Sequence, residues 1–247
     1  MIQLYNVILF QPMLNLLVFL YNVIPGHDLG IAIILLTVII KALLYPLAAQ
    51  SIKSQKALQE LQPKVEAMKA QYKDDKEKQA KEMMRLYKEN KVNPLSSCLP
   101  LLIQLPFLIA VYQVFGQGLH SASLQLLYPF IVNPGPLNQI SLGFLDLSKA
   151  SLVLAIVTGL AQFWQTKMLT TKMPPKAVAK TPGAKDEDMM AVMNKQMLYF
   201  MPVMTVFIGA TLPSGLVVYW LTMTLLTVAQ QAVMFKKTKK PEVEVIN

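Results

Sequence analysis

The chain has 247 residues, of which 54% are apolar and only 15% charged, with a formal net charge of +9. A charged fraction so far below the roughly 25% usual in soluble domains, with apolar residues in runs of about twenty, excludes an ordinary water-soluble protein and predicts one that crosses a bilayer. A single cysteine, Cys98, excludes an intrachain disulfide, and with only His27 and His120 beside it a zinc site has little support.

The first 28 residues form an N-terminal segment without Lys or Arg. It lacks the basic start of a secretory signal peptide, so the chain is read as mature throughout. Within it, residues 13–24 are apolar, and Gln11, Asn15 and Asn22 recur at helical spacing on one face. Pro12 suits a first helical turn. This predicts a short amphipathic helix lying in the membrane interface. A tilted spanning helix is the alternative, disfavoured by the shortness of the stretch. Pro25, Gly26, His27 and Asp28 end it.

Residues 29–49 are the first predicted span, without positive charge before its start and flanked by lysines after its end. Residues 50–94 are polar and basic. Leu58, Leu61, Val65, Met68 and Tyr72 repeat at spacings of three and four, which predicts a helical seam. Asp74 and Asp75 mark a turn, with Asp74 and Glu77 as a capping box, and Ala80, Met83, Met84 and Tyr87 stripe the second helix. The expectation is a cytoplasmic helical hairpin whose first helix is kinked at Pro63.

The second span is predicted at 95–118, containing Pro100, Gln104 and Pro106. An extracytoplasmic loop at 119–149, resting partly on the bilayer, leads to the third span at 150–166. A cytoplasmic loop at 167–196 precedes two spans at 197–212 and 215–235, and a basic tail closes the chain at 236–247. This is an all-α integral membrane protein with five transmembrane helices. With the N-terminus outside and the C-terminus in the cytoplasm, the basic clusters at 53–91, 167–195 and 236–240 all fall on the cytoplasmic side, as the positive-inside tendency requires.

Lys41 carries the most information. It stands twelve residues into the first span, about 18 Å from its outer end, where an ionised side chain costs about 2.5–3.5 kcal/mol on insertion scales. Either a wet cavity between helices offsets that cost, or the ammonium group snorkels to the surface. Thr37 shares its face, one turn earlier, although a threonine can also satisfy itself on its own helix backbone. Gln104 would line the same cavity or bond another helix. Gln165, with Gln162, lies near the cytoplasmic end of the third span, either in the interface or at the cavity. Tyr219 and Trp220 fit an aromatic belt or a substrate contact. Met189, Met190, Met193, Met197, Met201 and Met204 run into the fourth span, as adaptable contacts or as plain packing. No phosphate-binding loop, dinucleotide fingerprint, metal motif or nucleophile–base pair is found. The expectation is a protein that is not an enzyme and needs no cofactor.

Three stretches resemble the YidC family of membrane protein insertases: IIKALLYPL at 39–47, EMMRLYKENKVNPLSSCLPLLIQLPFLIAVY at 82–112, and MPVMTVFIGATLPSGLVVYW at 201–220. They occur in the family's order. The resemblance implies a five-helix core around a hydrophilic groove open to the cytoplasm and to lipid, and closed on the outer side. The family's groove arginine falls on Lys41, a departure that exchanges a guanidinium for an ammonium group. Thr37 and Trp220 match positions of substrate contact, and Gln104 the polar position of the second span. The groove candidates are therefore Lys41, Thr37, Gln104, Gln165, Tyr219 and Trp220, with the hairpin seam as a first contact for substrate. Implied partners are nascent membrane proteins, the ribosome, the Sec translocon and anionic lipids, with no specific DNA. The implied location is the bacterial inner membrane. The large outside domain of some members and the lipid-modified cysteine of others are not found in these residues, and the basic tail is short. A small-solute transporter and a structural partner of a Sec-type translocon are the alternative readings. The first would usually show acidic ion sites within the spans, and none occur.

Overall fold

A computed structural model describes residues 2–72, 75–93, 99–114, 123–169 and 198–236. The chain starts as helix α1, running from Ile2–Tyr5 through a wide π-helical turn at Asn6–Phe10 into Gln11–Val23. Pro12 has no N–H to donate, and the turn just before it is widened: the Gln11 N–H donates to the Asn6 carbonyl, five residues back. The helix therefore passes through Pro12 instead of starting there. Gln3–Val23 is long and apolar enough to cross a membrane, so α1 is longer than the interfacial helix expected from residues 13–24. Met13, Leu14, Leu17, Val18 and Tyr21 form its buried face.

Helix α2, Leu29–Leu43, starts under an Asp28 cap whose Oδ1 accepts from the Gly30 and Ile31 N–H groups at 2.8 and 3.1 Å. It ends six residues before the predicted limit of the first span. Helix α3, Tyr45–Gln71, leaves Leu44 at an angle of 68° to α2. Pro46 explains the position of the bend, because it sits in the first turn of α3 and cannot continue the ladder of α2. Pro63, expected to kink the hairpin helix, lies within continuous α3.

A turn joins α3 to helix α4, Lys76–Glu89, and the two pack together. Asp75 caps α4, accepting from the Lys78 N–H at 2.9 Å; Asp74, expected in that role, lies outside the described residues. Along α3, Leu61 and Val65 are buried, while Leu58, Met68 and Tyr72 are half-buried. On α4 the sheltered face is Met83, Leu86 and Tyr87. Ala80 and Met84, expected in the stripe, are exposed, so the apolar face is rotated from the predicted one.

Helix α5 is Leu99–Gln113, with Pro106 inside it. Helices α6, Leu152–Leu169, α7, Leu198–Gly209, and α8, Ser214–Lys236, follow. Strands β1, Ile140–Ser141, and β2, Leu145–Asp146, form a minimal antiparallel hairpin pairing Ile140 with Asp146 and Ser141 with Leu145. Among the described residues the regular structure is thus helical apart from this hairpin. Helix α8 packs against both α2 and α6. Gly159 lets α6 approach α7 closely, since a Cβ there would lie 2.3 Å from the Val206 side chain. By length and composition Gln3–Val23 and Ser214–Phe235 each suffice for a span, and the bent pair α2–α3 makes a third. Helices α5 and α7 are shorter.

The segment 123–149 covers one end of the bundle. Asn15 holds it twice, donating to the Leu126 carbonyl at 3.2 Å and accepting from the Tyr128 N–H at 2.6 Å. Gln11 donates to the same carbonyl, Asn22 donates to the Val132 carbonyl, and the Tyr21 hydroxyl accepts from the Asn138 N–H. Asp28 grips the β-hairpin, taking the Ser141 hydroxyl and the Leu142 N–H, both at 2.6 Å. Gly30 makes this approach possible, because a Cβ there would lie 2.1 Å from Ser141 Oγ. Ser214, which starts α8, bonds the Lys149 carbonyl through both N–H and hydroxyl. The start of α2, the start of α8 and this segment therefore share one end of the bundle. The bend into α3 and α4 lies at the other, about 22 Å along α2. The flanks carry Val153, Leu160, Val203, Phe207, Leu225 and Val233 exposed, the surface of a protein whose surroundings are apolar.

Candidate functional site

A residue that loses water within an apolar bundle needs partners from neighbouring helices. Lys41, near the end of α2, finds one on α8: its Nζ donates to Thr227 Oγ1 at 2.8 Å. Thr227 in turn donates its hydroxyl hydrogen to the Met223 carbonyl, one turn back on its own helix, at 2.8 Å. A hydroxyl has one hydrogen and two lone pairs, so the two bonds are compatible. Lysine has two further N–H groups, and these meet a cavity of about 380 Å3, many times the space one water needs.

The cavity walls come from six helices. Helix α2 gives Lys41, and α3 gives Ala48, Ile52 and Gln55. Helix α5 gives Gln104 and Leu108, α6 gives Gln162 and Gln165, and α7 gives Met201 and Thr205. Helix α8 gives Tyr219, Trp220, Met223, Thr224, Thr227 and Gln231. Gln104 Nε2 donates to the Tyr219 hydroxyl, which ties α5 to α8 across the cavity. Thr205 and Thr224, like Thr227, give their hydroxyl hydrogens to carbonyls four residues back, at 3.0 and 2.9 Å. This is how a threonine is accommodated in an apolar helix, and it keeps acceptor capacity on the oxygen. Gln231 is 1% exposed, and its Oε1 has no partner among the described residues. The lining therefore sets one ammonium group and several amide and hydroxyl groups in a largely apolar wall. Among the described residues no group of three or more His, Cys, Asp or Glu is placed to hold a metal ion.

The structure brings Lys41, Gln104, Gln165, Tyr219 and Trp220 to this one cavity. Thr37 does not line it: fully buried, it donates to the Ile33 carbonyl at 2.6 Å. The hairpin seam of Leu58, Leu61, Val65, Met68 and Tyr72 lies farther along α3 than the three residues that helix lends to the wall. Met201 reaches the cavity and Met204 does not, while Met189, Met190, Met193 and Met197 lie outside the described residues. Thr224, Thr227 and Gln231, which continue the stripe begun by Trp220, were missed from the sequence. The stripe's spacing of four, three and four along a span puts all four on one helical face, which was a readable signal.

An apolar-flanked helical bundle around a lysine-bearing cavity is the architecture of an integral membrane protein. The sequence profile of the 60Kd inner membrane protein family matches residues 19–241. The "Membrane protein insertase YidC" of Francisella tularensis subsp. novicida strain U112 is 38% identical over 202 residues, spanning 82% of this chain and 31% of the relative. Its counterparts in subsp. holarctica strain LVS and subsp. tularensis strain SCHU S4 match to the same degree. This chain spans about a third of the length of these relatives. A solved structure described as an active YidC insertase crystal structure with the first transmembrane domain resolved aligns with a TM-score of 0.60 at 26% identity. The alignment covers 96% of this chain and 47% of that one. The chain belongs to the 60Kd inner membrane protein family, whose YidC insertases it resembles in both sequence and fold.

Proposed function

We infer that this chain is a membrane protein insertase: it lowers the cost of carrying polar segments of nascent membrane proteins into the bilayer and releases their apolar helices to lipid. One observation carries the reading: Lys41 and the α8 stripe share a cavity about 18 Å from the start of α2. An unpaired amide or hydroxyl taken from water into an apolar environment costs about 2–7 kcal/mol. The amide and hydroxyl groups of the wall and the ammonium group replace part of the lost hydration. The passenger's apolar helix then partitions into lipid, gaining about 25 cal/mol per Å2 of buried apolar surface. No nucleotide hydrolysis enters the scheme.

In this reading five spans, α2, α5, α6, α7 and α8, surround the groove. The N-terminus is outside and the basic clusters are in the cytoplasm, which fits the α3–α4 pair lying beyond the far end of α2. The lysines of α3 and α4 meet the ribosome, the Sec translocon and anionic lipid headgroups, and the apolar seam offers the arriving chain its first contact.

Lys41 tests the scheme. In a reconstituted insertion assay Lys41→Arg should retain most of the activity, because charge and donors remain. Lys41→Glu should lose about tenfold or more, since it replaces the one cation among the described wall residues with an acceptor of opposite charge. Equal activity of the two variants removes Lys41 from the mechanism.

A further inference from the structure

The segment covering the end of the bundle has a surface that insertion chemistry does not use. From 123 to 145 the sequence contains no Asp, Glu, Lys, Arg or His. An ordinary aqueous loop would not be so bare of charge. Its turns carry large apolar side chains outward: Phe144 is 80% exposed, Phe130 78% and Val132 76%, with Leu142 and Ile140 also exposed. These are not strays from a loose loop. The five bonds from α1 and the two from Asp28 fix the backbone beneath them. Leu142 even holds a left-handed backbone, φ 52°, beside Gly143 at φ 80°, a conformation costly for a residue with a side chain. A strained, anchored turn that presents a phenyl ring to its surroundings is built for an apolar contact.

What it contacts follows from where it sits. The segment lies level with the starts of α2 and α8, at one end of a bundle whose flanks are apolar. Asn22 bonds the Val132 carbonyl, and the next residue, Val23, belongs to the exposed apolar face of α1. Leu152 and Val153, exposed at the start of α6, continue that flank on the other side of the hairpin. We propose that the hairpin tip at Leu142 and Phe144, together with Phe130 and Val132, inserts into the adjacent leaflet as a shallow lipid anchor. Its depth is that of interfacial elements, about 5–10 Å into the headgroup and acyl boundary. The contact is apolar and needs no anionic lipid. It holds whether or not the chain inserts other proteins.

The test uses the full chain in vesicles of pure phosphatidylcholine. In a Cys98→Ala background, nitroxide labels are placed at Phe130→Cys, at Phe144→Cys and at Ser148→Cys, an exposed site on the polar flank of the hairpin. Collision with oxygen and with a water-soluble nickel chelate is then measured. Labels at 130 and 144 should meet the chelate about fivefold less often than the label at 148. Equal access at the three sites overturns the proposal. A second measurement keeps the ring at issue intact: a label at Ile140→Cys, read with Phe144 in place and again with Phe144→Asp. Access of the chelate to position 140 should rise severalfold in the Asp variant, and unchanged access counts against the anchor.

Discussion

Two polar stripes run along apolar helices in this protein, and the fold treats them in opposite ways. On α1, Gln11, Asn15 and Asn22 are all tied to the covering segment, and Asn15, 1% exposed, uses both its amide nitrogen and its oxygen. On α8, Thr227 meets Lys41, but the buried Oε1 of Gln231 has no partner among the described residues. A buried polar atom left without a partner costs about 1–3 kcal/mol. Stability alone would favour an apolar residue at 231. The tied stripe is architecture. On the proposed function the open stripe serves a passenger that enters the cavity, and conflicts between local rules and the fold are expected at such places.

Breaking the tied stripe should have the largest effect. Asn15→Leu removes the acceptor of the Tyr128 N–H and one of the two donors to the Leu126 carbonyl, which keeps Gln11, and should cost about 2–3 kcal/mol of stability. Thermal unfolding in detergent micelles measures this, and a loss below about 1 kcal/mol would show that the clamp is not a structural requirement. The same experiment on the open stripe should change sign. Gln231→Met, of similar volume, should stabilise the protein by about 1–2 kcal/mol by removing the unpaired acceptor. Insertion should nonetheless fall, and a variant that gains stability with full activity would take Gln231 out of the groove. Thr227→Val is subtler. Lys41 loses its neighbour but keeps a roomy polar cavity, so stability should change by less than about 1 kcal/mol while insertion drops severalfold.

The sequence made much of this legible. Lys41 announced itself because a charge within an apolar run demands an explanation, and the family-like stretches placed Gln104 and Trp220 beside it. The shared face of Gln11, Asn15 and Asn22 was visible, but what it bonds was not. Its partners are backbone groups more than a hundred residues away, and no periodicity encodes them. Thr37 misled because it shares a face with Lys41, and a hydroxyl that closes on its own helix looks the same in sequence as one facing a cavity. The bend at Leu44 was written in Pro46, yet hydropathy averaged over the window and carried the span through it. The phase of α4 failed for a similar reason, since Met83 and Met84 are alike in composition and only packing chooses between them.

The remaining contrast lies in how the covering segment is fastened: to α1 by neutral amides, to α2 by a carboxylate. Partial burial works against ionisation of Asp28. The hydrogen bonds from the Leu142 N–H, the Ser141 hydroxyl and the Ile31 and Gly30 N–H groups outweigh it, and hold the carboxyl below its usual range. A depressed folded value means that the unfolded chain binds the proton more readily. The stabilisation is therefore complete above about pH 4, the unfolded value, and is lost as pH falls through the folded one. The amide clamp has no such dependence. Protection of the Leu142 amide against hydrogen exchange should thus decline on acidification below about pH 4 while that of Tyr128 holds. Asp146, on β2, is kept ionised down to about 2 by its bonds with Ser148 and Lys149, so it contributes little to the first part of that decline. Asp28→Asn sets two N–H donors against each other at Leu142. It should lower protection there at every pH and abolish the acid-dependent step, the smallest effect of the series. A wild-type profile that stays flat for Leu142 would mean that the carboxylate is not what holds the hairpin to α2.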